Sequence, residues 1–87
     1  MATGRIAFIS RSQGMLVVSH DDGHTVVELL GHEGELGLGE QVSGDWDALG
    51  GEPLYSAHSR KRYDAYFQGT WPSFEAAARI ARNTGGG

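Results

Sequence analysis

Residues 58 to 71 read HSRKRYDAYFQGTW and gather Arg60, Lys61 and Arg62 beside Tyr63, Tyr66, Phe67 and Trp71. Cationic side chains track phosphates, and aromatic rings stack on bases at about 1–3 kcal/mol per base, so this mixture suits a single strand of nucleic acid. The same residue types also anchor protein interfaces, where Arg, Tyr and Trp carry most of the binding energy. Two-residue alternation puts Tyr63, Ala65 and Phe67 on one face of a strand and Asp64, Tyr66 and Gln68 on the other. With the first face turned inward, Tyr66 is the one clear outward ring, and the candidate binding residues are Arg60, Lys61, Arg62, Tyr66 and Trp71.

Two other clusters have simpler readings. SHDDGH places His20, Asp21, Asp22 and His24 within six residues, a donor set for zinc or nickel. Tight-turn chemistry already accounts for Asp-Asp-Gly, with Asp-Gly suited to a type I′ hairpin, so no metal is expected. His32 stands alone in a loop. GDWDALGGE sets Trp46 between Asp45 and Asp47, and its alternation with Val42 places the indole in the core rather than on an acidic rim. The carboxylate pairs Glu33/Glu35 and Asp45/Asp47 fall in a loop and at a strand end, where acidity serves solubility. No nucleophile elbow, phosphate loop, HExxH pair or dinucleotide fingerprint occurs, so neither an enzyme nor a cofactor is expected.

Charge is segregated along the chain. Every formal charge from Gln13 to Ser59 is acidic, nine in all, and all seven Lys and Arg residues lie outside that stretch with only Asp64 and Glu75 beside them. Such a division either orients a partner or is interleaved by folding. The net charge of −4 argues against a general nucleic-acid binder. Without cysteine there is no disulfide framework and no thiolate zinc site. The opening MATGRIAFIS lacks a basic segment leading into a long apolar one, and no apolar run nears the ~20 residues of a membrane helix, so the expected location is cytoplasmic.

These residues need a scaffold, and 87 residues suffice for a single domain, 1–87. GRIAFIS, 4–10, reads as a strand with Ile6 and Phe8 on one face. RSQG is a turn whose glycine takes a positive φ. Met15–His20 is apolar on both faces, as in a strand covered on both sides, and Thr25–Leu30 completes a three-stranded meander. GHEGELGLG is a loop with Leu36 and Leu38 tucked inward. Gln41–Trp46 is a fourth strand, Leu54 and Tyr55 begin a short fifth, and RYDAYFQ is a sixth, so the strands span about 4–68. The helix comes last, at about 73–83. Ser73 is its N-cap, Glu75 lies in its first turn, and Phe74, Ala77, Ala78 and Ala81 form its docking stripe. A disordered tail, 84–87, follows.

The fold class is therefore mainly β: a small five- or six-stranded barrel with one C-terminal α-helix. Meander, glycine-rich loop and two further strands resemble an OB-fold barrel of the cold-shock-like kind. LGLGEQVSG, 36–44, is similar to the G-x-x-V-x-G lead-in to the fourth strand of such barrels. An SH3-like barrel fits the same strand count. The resemblance implies a single-strand reading face on the second and third strands, but GMLVVSH and HTVVELL hold no Phe, Tyr, Trp, Lys or Arg. GMLVV thus belongs to core and sheet. The expected function is a small non-catalytic binding module whose partner is another protein. The alternative is a single-stranded nucleic-acid binder using 58–71. A helix-driven homodimer is also open.

Overall fold

The computed structural model describes residues 2–31 and 36–83. The loop residues His32, Glu33 and Glu35 and the expected disordered tail, 84–87, lie outside the described residues. Six strands form one closed barrel in the order β1-β2-β3-β6-β5-β4, with every pairing antiparallel. They are β1 (Ala2–Ser10), β2 (Met15–His20), β3 (Gly23–Leu29), β4 (Gln41–Gly44), β5 (Gly50–Ser56) and β6 (Arg62–Trp71). A 3-10 turn at Arg11–Gln13 joins β1 to β2, and α1 (Phe74–Asn83) ends the described chain. Two three-stranded meanders are thus stitched along β1–β4 and β3–β6, so all six strands are paired around the ring.

The wall has two covers. Met15, Leu16, Val17 and Val18 are all buried, as their two-sided apolarity predicts. Leu16 and Val18 face the barrel interior with Ile6, Val27, Val42, Leu54, Tyr63 and Phe67. Met15 and Val17 face outward, beneath Ala77 and Ala81 of α1. The helix starts as expected: Ser73 accepts the Ala76 N–H on Oγ at 3.3 Å, and its carbonyl accepts the Ala77 N–H at 3.2 Å. Ala77, Ala78 and Ala81 are buried, whereas Phe74 at the helix start is 39% exposed and packs edge-to-face with the His24 ring. Small side chains on α1 let it lie close against the sheet.

Two bulges overturn simple alternation. In β1 the register slips between Ile6 and Phe8, so Ile6 stays inside while Phe8 packs under the helix; they do not share a face. In β6 the slip lies opposite Val26/Val27, where Val27 pairs with Phe67 but Val26 pairs with Gly69. Beyond it, Trp71 joins the helix-side cluster. Gly69 has φ 151°, and a Cβ there would lie 3.1 Å from the Trp71 ring, so glycine permits both the backbone and the ring position.

Other differences have local causes. Asp21 and Asp22 form a two-residue hairpin turn, but neither has a positive φ, so the turn is not type I′. Leu36 is buried, whereas Leu38 is 69% exposed. β4 stops at Gly44, and Trp46 enters the core from the following loop. β5 starts at Gly50 rather than at Leu54, because Gly50 to Leu54 pair along β6 from Phe67 to Tyr63. Gly14, with φ 67°, fills the left-handed position foreseen for it.

Candidate functional site

The segment 58–71 is divided by the fold. Arg60 and Lys61 lie in the turn between β5 and β6, and Arg62 opens β6. Arg60 is the one non-glycine among the described residues with a positive φ, 60°, and its N–H donates to Ser56 O at 2.8 Å. Ser56 also donates through Oγ to Glu40 Oε2 at 2.5 Å, tying the turn to the β3–β4 connection. The Lys61 ammonium sits 5.6 Å from the centre of the buried Tyr63 ring. Arg62 Nη2 lies 3.6 Å from Asp64 Oδ1, an exposed pair that contributes little to stability. Tyr63, Ala65 and Phe67 are buried, as alternation predicts.

Tyr66 points outward and is 45% exposed. Its cross-strand neighbours are Glu28 on β3 and Gly51 on β5. Trp71 is on the other side of the bulge, half-buried against the helix-side cluster, so it does not extend the Tyr66 surface. Arg62 and Tyr66 therefore share a wall, Arg60 and Lys61 lie at its rim, and Trp71 belongs elsewhere.

This wall is the outer face of β3, β6 and β5 beyond the reach of α1. It carries Leu30, 57% exposed, whose N–H donates to Asp64 O at 3.1 Å. Leu49, just before β5, is 69% exposed. A shallow depression of about 290 Å³ is lined by Leu30, Gly51, Glu52, Pro53, Arg62 and Asp64, with Ala65 at its floor. Leu30 was legible in principle: with Val27 and Leu29 inside, parity puts Glu28 and Leu30 outside. Nothing in the sequence marked Leu49 or Pro53, since the fifth strand was expected to begin only at Leu54.

Part of the charge division survives as an axis, with Glu40 an exception beside Ser56 at the basic end. The β2–β3 turn and the β4–β5 loop meet at one end of the barrel and hold Asp21, Asp22, Asp45 and Asp47. Arg11, Arg60 and Lys61 occupy connections at the opposite end. At the acidic end a hydrogen-bonded chain runs inward. Thr70 Oγ1 donates to Trp46 O at 3.2 Å, so its one proton is used. It must then accept from Thr25 Oγ1 at 2.7 Å, and Thr25 accepts from His20 Nε2 at 2.7 Å. The network thus assigns the His20 proton to Nε2, leaving Nδ1 to accept the Asp22 N–H at 3.3 Å. His20 also stacks on Trp46, with ring centroids 5.2 Å apart. Burial lowers the His20 pKa below its ordinary value, against the opposing pull of Asp22.

His24 is held separately, its Nδ1 2.7 Å from Ser19 Oγ. Among the described residues no three His, Asp or Glu side chains converge to hold a metal ion. Trp46 is buried between His20 and Phe67, so it is no exposed anchor. No described helix is long and apolar enough to cross a membrane. Comparison with protein families, curated proteins and solved structures finds no match for this chain.

Proposed function

We propose that this protein is a small non-catalytic binding module that engages another protein through the outer wall of β3, β6 and β5. One observation carries the reading: Tyr66 and Leu30 stand exposed on a wall that no described element covers, while the neighbouring wall is sealed by α1. An apolar patch with a polar rim is the usual form of a protein-binding surface. The barrel itself is read as OB-like, with β1 bridging β2 and β4 and the second meander closing on β3. It has six strands where the OB-fold has five.

Single-stranded nucleic acid fits this wall less well. Tyr66 is the one exposed ring of the segment, Trp71 is packed under α1, and Glu28 and Asp64 flank Tyr66 and Arg62. Panning a displayed dodecapeptide library against the immobilised protein tests the proposal, alongside a fluorescence titration with labelled oligothymidine at low salt. Enriched peptides should lose affinity about tenfold on Tyr66→Ala. Peptides that bind this variant unchanged would remove the wall as the surface. Oligothymidine binding that weakens steeply with salt would transfer the assignment to nucleic acid.

A further inference from the structure

The barrel is stitched incompletely on one side of β5. In the β5–β6 ladder Ser56 N–H donates to Lys61 O at 3.0 Å, so Ser56, Leu54, Glu52 and Gly50 turn their backbone groups toward β6. Gly51, Pro53 and Tyr55 then turn theirs toward β4. Tyr55 is met by Ser43, and Ala57 N–H by Gln41 O at 2.9 Å. The next partner of Pro53 would be Asp45. Proline has no N–H to donate, and the Asp45 carbonyl is occupied by Ala48 N–H at 3.0 Å as the chain curls inward. The ladder stops there. Among the described residues nothing bonds the Gly51 N–H, the Gly51 carbonyl or the Pro53 carbonyl.

The sheet face at the notch is also open. A Cβ built on Gly50 or Gly51, which would stand off the sheet, would meet nothing within 4 Å. Leu49 flanks it on one side, and the Leu30–Tyr66 wall with its depression begins at Gly51 itself. A strand edge with free backbone groups beside an apolar shelf is the receiving half of strand addition.

We propose that this notch takes an extended segment of a partner protein as an added strand beside β5, a mode of binding that rests on the wall reading above. One residue of the segment exchanges both backbone hydrogen bonds with Gly51. Its apolar side chains fall toward Leu49, Pro53 and Tyr66. Asp45, Asp47 and Glu52 line the approach and select a segment with basic residues between the apolar ones.

The free protein gives the first test. By amide hydrogen exchange the Gly51 N–H should exchange at near solvent-exposed rates while the Glu52 and Leu54 amides are protected. Equal protection of Gly51 and Glu52 would close the notch and end the proposal. The second test maps the panned dodecapeptides by amide chemical shifts. Shifts at Gly51, together with about tenfold weaker binding on Gly51→Lys or on N-methylation of one peptide residue, support strand addition. Shifts at Leu30 and Tyr66 with a silent Gly51 and no N-methyl effect overturn it while leaving the wall reading intact. Shifts confined to the Asp21–Asp22 end overturn both. A folded spectrum of the Gly51→Lys variant shows that lost binding is not lost structure.

Discussion

Two walls of the same barrel, both built partly from β3, have opposite fates. The wall of β1, β2 and the first half of β3 carries Phe8, Met15, Val17 and Val26, with Trp71 beside them, and α1 seals it. The wall of β5, β6 and the second half of β3 carries Glu28, Leu30, Pro53, Asp64 and Tyr66, and nothing described covers it. The border runs through single strands. On β3 the outward residues pass from Val26 to Glu28, and on β6 from Trp71 to Gln68 and Tyr66, with Gln68 Nε2 donating to Glu28 Oε1 at 3.3 Å along the line. The difference teaches that cover is specified residue by residue, by apolar groups where the helix lies and by mixed groups where it does not. The second wall is mixed in composition, and every described element leaves it open.

The largest effect should come from spoiling the seal. Ala77 is fully buried in the apolar cluster of Met15, Val17, Val26 and Ala81. Ala77→Glu should lower unfolding stability by on the order of 3 kcal/mol or more, because an unpaired carboxylate must be buried or the helix undocked. Urea denaturation measures it; a loss below about 1 kcal/mol would mean that α1 docks only loosely.

A paired comparison of rings tests the walls against each other. Trp71→Ala should cost about 2–3 kcal/mol, since a half-buried indole leaves a gap under the helix. Tyr66→Ala should cost less than about 1 kcal/mol, the loss of an exposed ring from a strand. Similar costs from the two substitutions would erase the distinction between a covered and an open wall.

The seam where the walls meet at the acidic end should respond to pH. His20 is held neutral, its Nε2 proton committed to Thr25 and its Nδ1 to the Asp22 N–H. Its folded pKa is lowered by burial, so the unfolded chain takes up the proton first as pH falls. The contribution of His20 is therefore full above about pH 6.5 and is lost on acidification through its lowered folded pKa. Denaturation midpoints at about pH 7.5 and 5.5 should differ more for the native chain than for His20→Gln, which keeps a donor but does not titrate. An unchanged difference would remove His20 as the source.

Most of the strand order and the interior was legible, because period two marks inward residues wherever the ladder is regular. Tyr63, Ala65, Phe67 and Val42 all fell where their spacing placed them, while Trp46 reached the same core from the loop after β4. Alternation failed at the bulges, where one extra residue reverses parity: Phe8 left the interior, and Trp71, inward by count from Phe67, turned outward under the helix. Gly69 was the available signal, since glycine inside a strand pattern marks such a site. The open notch at β5 was illegible for a different reason. It depends on which backbone groups face β4, and that follows from register, which the spacing of side chains does not report.

The smallest effect concerns the rim of the open wall. Arg60 holds a left-handed backbone, φ 60°, at the turn that leads into β6. For a residue with a Cβ this conformation costs about 1 kcal/mol, and glycine relieves it. Arg60 lies on the exposed turn, and its own bond there is its backbone N–H to Ser56 O at 2.8 Å, which glycine keeps along with the bonds among Ser56, Ser59 and Lys61. Arg60→Gly should therefore raise stability by a few tenths of a kcal/mol up to about 1 kcal/mol, net of the greater entropy of unfolded glycine. Arg60→Ala removes the same charge but keeps the strain, so it should leave the urea midpoint nearly unchanged. If both variants lose stability together, the guanidinium itself braces the turn, and the basic rim is part of the scaffold rather than of the open wall.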